Sequence, residues 1–186
     1  MPHIDIGNDM PGITGLIRYR PETGIPLMAF ADALLSGENT LTRGEREVLA
    51  AHVSTLNECQ FCAASHTEIA AALLPGGKQF VEQACADPRH PDVPPKLAAL
   101  LDIAGSVQKS GRSVTAEQVV AAREAGATDL EVHDTVLIAA MFCMVNRYVD
   151  GLGTALPYDA GHYAAGAERI AEHGYVPMLA GGPSKS

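Results

Sequence analysis

The chain has 186 residues, a formal net charge of −9, and apolar residues at 47% of its positions. That acidic balance excludes a nucleic-acid phosphate backbone or an anionic membrane as the main partner, and no run of Lys or Arg offsets it. Tryptophan is absent and aromatics make up only 5%, so the core must be built from Ala, Leu, Val and Ile, a composition suited to closely packed helices.

Residues 1–24 carry Gly, Pro and Asn at intervals and read as an irregular arm wrapping a neighbouring surface. Met1 to Arg20, with Asp5, Asp9, Pro2 and Pro11, holds no apolar core segment of the kind a signal peptide needs. The longest apolar run, Val136 to Val145, falls far short of a bilayer span, so a cytoplasmic protein with reduced thiols is expected. Ile25 to Leu35 has helical spacing and stops at Ser36-Gly37. Thr42-Arg43-Gly44-Glu45 is a capping-box pattern that predicts a helix over 43–56. Asn57 then offers an N-cap for a helix reaching about Leu74, where Pro75-Gly76-Gly77 ends it. Shorter helices are predicted over 78–86 and 95–109, on either side of a Pro-rich loop.

Two further capping boxes follow: Thr115 with Gln118 opens a short helix, and Thr128 with Glu131 a long one ending at Asp150, with Gly151 as its stop. A last amphipathic helix is predicted over 158–172, and the Gly- and Ser-rich tail, 177–186, reads as disordered. No segment alternates as strands do. The expectation is one all-α domain over 1–186 with seven or eight helices. The helix over 127–151 is apolar nearly all round and must be buried on every side, which favours subunit packing and an oligomer.

The chemistry concentrates in Cys59-Gln60-Phe61-Cys62-Ala63-Ala64-Ser65-His66. Cys59, Cys62 and His66 fall at i, i+3 and i+7, on one face of a helix. A dithiol works only as thiolate. With Asn57 as N-cap, Cys59 lies in the first turn, where the helix dipole favours negative charge, so that argument makes Cys59 the more acidic thiol. His66, one turn beyond Cys62, can accept its proton. Glu47 lies twelve positions before Cys59, a rise of roughly 18 Å on a continuous helix, so it can join the site only if the chain reverses near Leu56-Asn57-Glu58.

Several plainer readings stand beside these. A structural zinc site wants four ligands, and only Cys59, Cys62, His66 and Glu47 are available, all from one neighbourhood. Glu47 could simply pair with Arg43 at i−4. Cys143 reads as a small buried hydrophobe, and Cys85 has no imidazole within a helical turn. His52 reads as a satisfied histidine at a helix interface, and His133, His162 and His173 as surface or capping groups. Asn146, Arg147 and Asp150 read as a polar helix end pairing with a neighbouring helix or subunit.

Glu47, eleven intervening residues, the Cys59-x-x-Cys62 pair and three residues to His66 resemble the E-x11-C-x-x-C-x3-H signature of alkylhydroperoxidase AhpD-like proteins, within the carboxymuconolactone decarboxylase-like superfamily. Pro21-Glu22-Thr23-Gly24, Ser54-x-x-Asn57-x-Cys59 and Asn146-Arg147-x-x-Asp150-Gly151-Leu152-Gly153 resemble its peroxidase-related subgroup, the likeness spanning roughly residues 10–176. The resemblance implies an all-helical subunit assembling into homo-oligomers, trimers or hexamers. It also implies a thiol peroxidase without haem, flavin or metal, acting on hydrogen peroxide or organic hydroperoxides. The reductant is then an external dithiol, in the family's best-understood branch a lipoyl-bearing protein. By the same resemblance Cys62 attacks the peroxide, Cys59 resolves, and Glu47 and His66 relay the proton. Phe61 departs from the pattern, since relatives often carry a His or Tyr there that can exchange a proton. Two alternatives remain: a lactone decarboxylase-like lyase or hydrolase on the same scaffold, and a non-enzymatic thiol redox sensor.

Overall fold

The computed structural model describes residues 2–159 and 161–175, and among them every regular element is helical. The helices are α1 (Gly12–Tyr19), α2 (Pro21–Leu35), α3 (Arg43–Leu56), α4 (Gln60–Leu73), α5 (Gly77–Ala86), α6 (Pro95–Lys109), α7 (Ala116–Glu124), α8 (Asp129–Gly151) and α9 (Gly161–His173), with a 3-10 turn at 111–113. The tail expected to be disordered lies outside the described residues. No helix among those described is long and apolar enough to cross a membrane.

The arm read as irregular over 1–24 is in fact partly helical. Leu16 of α1 is buried, and Pro21 is the first residue of α2, where its fixed φ suits a helix start. Among the described residues, α1 brings the helix count above the seven or eight expected. Gly12 has φ +55, and a Cβ there would lie 2.3 Å from the Phe61 ring, so α1 packs directly on the dithiol helix.

All three capping boxes form. The predicted bounds of the helices over 43–56 and 95–109 match those observed. α8 runs one residue past the expected end and includes Gly151; the left-handed residue that follows is Gly153, at φ +57.

α3 is the axis of the fold, with Val48, Leu49, Ala50, Ala51 and Val53 fully buried. α4, α5, α6 and α8 surround it, and α9 lies across α4. α8 was expected to be buried all round, yet within the chain Leu130 and Met144 are 53% and 51% exposed.

The start of α8 is tied down by Glu131, which is 1% exposed. Its carboxylate accepts from Lys96 at 2.8 Å, Thr40 at 2.9 Å and the Thr128 backbone N–H at 2.7 Å, linking α6 and the α2–α3 loop to α8. Thr128→Ala removes one cap and is expected to cost about 1 kcal/mol. Glu131→Ala strips a buried anion from its partners and is expected to cost about 3 kcal/mol. Urea unfolding of the two variants side by side checks the order.

Candidate active site

The chain reverses where Glu47 required it to. α3 ends at Leu56, Asn57 closes it, and Glu58 adopts a left-handed φ of +58 before α4 begins at Gln60. α4 returns antiparallel along α3, which brings Glu47 alongside His66. The His66 Nδ1 lies 2.6 Å from Glu47 Oε2. The helix-surface pairing with Arg43 does not occur: Glu47 is 1% exposed, and Arg43 instead donates to the backbone carbonyls of Ile170 and Ala171.

The N-cap assignment needs correction. α4 starts later than Asn57 predicts, and Cys59 itself occupies the N-cap position. Asn57 is drawn away by side-chain partners: it donates to Asn146 Oδ1 at 2.8 Å and accepts from Gln108 at 3.0 Å. The shift puts Cys62, as well as Cys59, in the turn where backbone N–H groups point outward and favour an anion.

The two thiols hydrogen-bond each other and are unequal. The bond from Cys59 is the main influence drawing the Cys62 thiol below the ordinary range, helped by the His66 charge and a hydrogen bond from Asn146, against burial and Asp150. Cys59 moves the other way, far above the ordinary thiol range, through the same bond, then burial, then a hydrogen bond to the Asp150 carboxylate. Thus the helix-dipole argument that favoured Cys59 gives way to local partners. Both cysteines are free thiols here.

A residue that sequence reasoning passed over completes the group. Tyr175 donates its hydroxyl to Glu47 Oε1 at 2.7 Å and stands 3.4 Å from His66 Nδ1. Burial, then the Glu47 charge, holds its phenol well above the usual tyrosine range. Tyr175 follows Gly174, whose φ of +75 turns the chain inward after α9, and its N–H is held by Asp32 at 2.8 Å. The only signal in the sequence was the helix-ending glycine before an aromatic residue.

Cys62, His66 and Tyr175 open onto an apolar pocket of about 80 Å³, walled by Ile13, Met28, Phe61 and Val145 among others, with Arg169 and His162 at its exposed rim. Cys59 is fully buried behind. Tyr163 adjoins the dithiol, its phenol raised by burial and then by the nearby thiol charges. Among the described residues, no three His, Cys, Asp or Glu side chains group as metal ligands.

The remaining candidates fall elsewhere. His52 Nδ1 meets the Cys85 carbonyl at 3.2 Å, and burial lowers its pKa, as befits a satisfied interface histidine. Burial pushes the Cys85 thiol up to about 12. Cys143 is half-buried, near Asn57 at 3.8 Å. Asn146 is more than a helix-end group: it is buried, donates to Ser54 at 3.1 Å, and reaches Cys62.

A carboxymuconolactone decarboxylase family model matches residues 21–73, the segment that carries Glu47, Cys59, Cys62 and His66. No curated protein matches the chain. Among solved structures, a peroxidase-related protein with an alkylhydroperoxidase AhpD core from Ralstonia eutropha is 28% identical. The likeness covers 85% of this chain and 82% of that one, with a TM-score of 0.74. A peroxidase-related protein from Silicibacter sp. shares the fold at 22% identity and the same TM-score, over 83% of this chain and 78% of that one. The motif segment is thus similar to the carboxymuconolactone decarboxylase family, and the helical architecture is similar to that of peroxidase-related and AhpD-core proteins along most of its length.

Proposed function

We propose that this protein is a thiol-dependent peroxidase that reduces hydrogen peroxide or small organic hydroperoxides through a Cys59–Cys62 dithiol–disulfide cycle. The observation that carries the reading is His66, held by Glu47 at 2.6 Å, on the helix turn above a Cys62 thiol that lines the same pocket. With Nδ1–H given to Glu47, Nε2 is left with its lone pair to take the Cys62 proton.

The Cys62 thiolate attacks one peroxide oxygen. The S–O bond forms as the O–O bond breaks, and the leaving oxygen takes the proton held on His66. Cys59 then attacks the Cys62 sulfenic acid, water leaves, and the disulfide forms. An external dithiol returns two electrons and two protons. The pocket's 80 Å³ has room for only a few water-sized groups, which suits a peroxide head with a short apolar substituent. Phe61 exchanges no proton; Tyr175, by holding Glu47, supports the relay from the opposite side. The reading includes a homo-oligomer, for which the exposed Leu130 and Met144 of α8 offer an apolar face.

The test is peroxide consumption driven by dihydrolipoamide. His66→Ala is expected to lower kcat/KM about 100-fold. The Cys59→Ser, Cys62→Ser double variant is expected to be inactive. A lyase or hydrolase on the same scaffold would keep its activity without either thiol. A redox sensor would form the disulfide without repeated turnover, and wild-type protein that behaves so overturns the proposal.

A further inference from the structure

The pocket in front of Cys62 has a cation at its mouth and no acid to match it. Among the described residues no Asp or Glu lines the pocket, although the chain carries a formal net charge of −9. Arg169 of α9 does line it, and this exposed guanidinium has no hydrogen bond or ion pair among the described residues. Arg43, Arg46 and Arg147, by contrast, each donate to backbone carbonyls. The acids nearest Arg169 on α9 are otherwise placed: Glu168 does not line the pocket, and Glu172 lies against His173 at 3.5 Å. We propose that Arg169 anchors an anion subsite, and that the preferred substrate is a short organic peroxide carrying a carboxylate at the end away from its O–O bond. This rests on the thiol peroxidase reading and names its substrate class.

The helices put the cation at a workable distance from the thiol. Where α9 lies over α4, the two run in the same sense. At one end the Tyr163 ring meets Phe61, with centroids 5.8 Å apart. At the other, Arg43, whose helix begins beside Leu73 and Leu74, reaches the carbonyls of Ile170 and Ala171. Arg169 therefore stands six positions past the level of Phe61 and Cys62, roughly 9 Å along α9. Helical side chains lean towards the N-terminus, which here is towards the thiol. Between Tyr163 and Arg169 the pocket is lined by Gly166, where a Cβ would meet nothing within 4 Å, so the way from thiol to cation is open.

The chemistry selects a carboxylate. A guanidinium is a planar fork that matches one carboxylate with two parallel hydrogen bonds. A phosphate dianion calls for further cations, and among the described residues no second Lys or Arg lines the pocket. The volume of about 80 Å³ limits the linker to a few carbon atoms. With the far end held at Arg169, the outer peroxide oxygen faces Cys62 Sγ. That oxygen bonds to sulfur, the O–O bond breaks, and the remainder leaves as an alcohol or acid that takes its proton from His66.

The subsite is tested first without turnover. A molecule seated in the pocket slows iodoacetamide labelling of Cys62, so butanoate and butanamide, which differ in charge but hardly in shape, are compared as protectants. Wild-type protein is expected to be half-protected by about fivefold less butanoate than butanamide, the gap narrowing as salt is raised. Arg169→Gln should close the gap, Arg169→Lys keep part of it, and Arg169→Glu reverse it, with circular dichroism reporting that each variant is folded. Turnover is then read as the ratio of kcat/KM for monoperoxysuccinate to that for peroxybutanoate, which has a methyl group in place of the carboxylate. The ratio should favour monoperoxysuccinate about fivefold in wild type and lose that preference in Arg169→Gln. Equal protection by the two molecules in wild type, or a carboxylate preference that survives in Arg169→Gln, would overturn the subsite. Should both peracids still turn over, equally well, the peroxidase reading stands without it. Protein inert to both peracids but protected by butanoate in an Arg169-dependent way would sink the peroxidase reading and leave the subsite in place.

Discussion

Cys62→Ser protein is expected to consume no peroxide at all, whereas Cys59→Ser protein is expected to complete one oxidation and stop at a sulfenic acid that dimedone traps. The asymmetry follows from position and partners together. Cys62 lines the pocket beside His66, while Cys59 is fully buried behind it. Only the thiolate is nucleophilic, and Cys62 is the thiol drawn below its ordinary range, chiefly by the Cys59 hydrogen bond. The same bond sets the pH dependence. In wild type, alkylation of Cys62 should rise with pH and level off below the usual thiol pKa. Cys59→Ala removes the donor, so the profile should move up and the rate near neutral pH should fall. Iodoacetamide labelling across pH, read by mass spectrometry at Cys62, checks both. Faster labelling at Cys59 would reverse the assignment.

Glu47→Gln is expected to damage activity and stability at once. The carboxylate accepts from two donors, His66 Nδ1 at 2.6 Å and the Tyr175 hydroxyl at 2.7 Å, in a buried setting. A glutamine amide can accept with its oxygen, but its NH2 must then face the second donor. One buried hydrogen-bonding group is left unmatched, at a cost of about 1–3 kcal/mol. The imidazolium formed when His66 takes a proton also loses its counter-charge, so kcat/KM should fall between about 100-fold and 10,000-fold. Tyr175→Phe is the control. It removes one donor and keeps the charge, so it should lower kcat/KM far less and shift the Cys62 alkylation profile only slightly. Equal losses in the two variants would mean that packing, not proton transfer, explains both.

The elements most legible in the sequence were those whose signals are local. Three Thr-x-x-Glu or Thr-x-x-Gln boxes fixed helix starts because both hydrogen bonds lie within four residues of chain. The Glu47-to-Cys59 spacing demanded a reversal that Glu58 provides. What escaped depends on contacts between distant segments. Asn57 had the right residue type for an N-cap but binds Asn146 and Gln108 instead. α1 is held by burial of Leu16 and by Gly12 against Phe61, neither visible from a Gly- and Pro-rich arm. Tyr175 reaches Glu47 across 128 positions of chain, and Asn146 reaches Ser54 across 92. Periodicity carries no trace of such pairs.

The two sulfurs occupy the cap and first turn of a single helix, and that placement bears on how tightly a bond between them could lock the molecule. A cross-link restrains the denatured chain in proportion to the logarithm of the loop it closes, and this loop is nearly the shortest possible. Oxidation therefore adds little to the cohesion of the native state, and reduction takes little away. In the proposed cycle the redox potential would then be set by how well the surroundings hold a thiolate, with His66 and Asn146 beside Cys62 as the groups to vary.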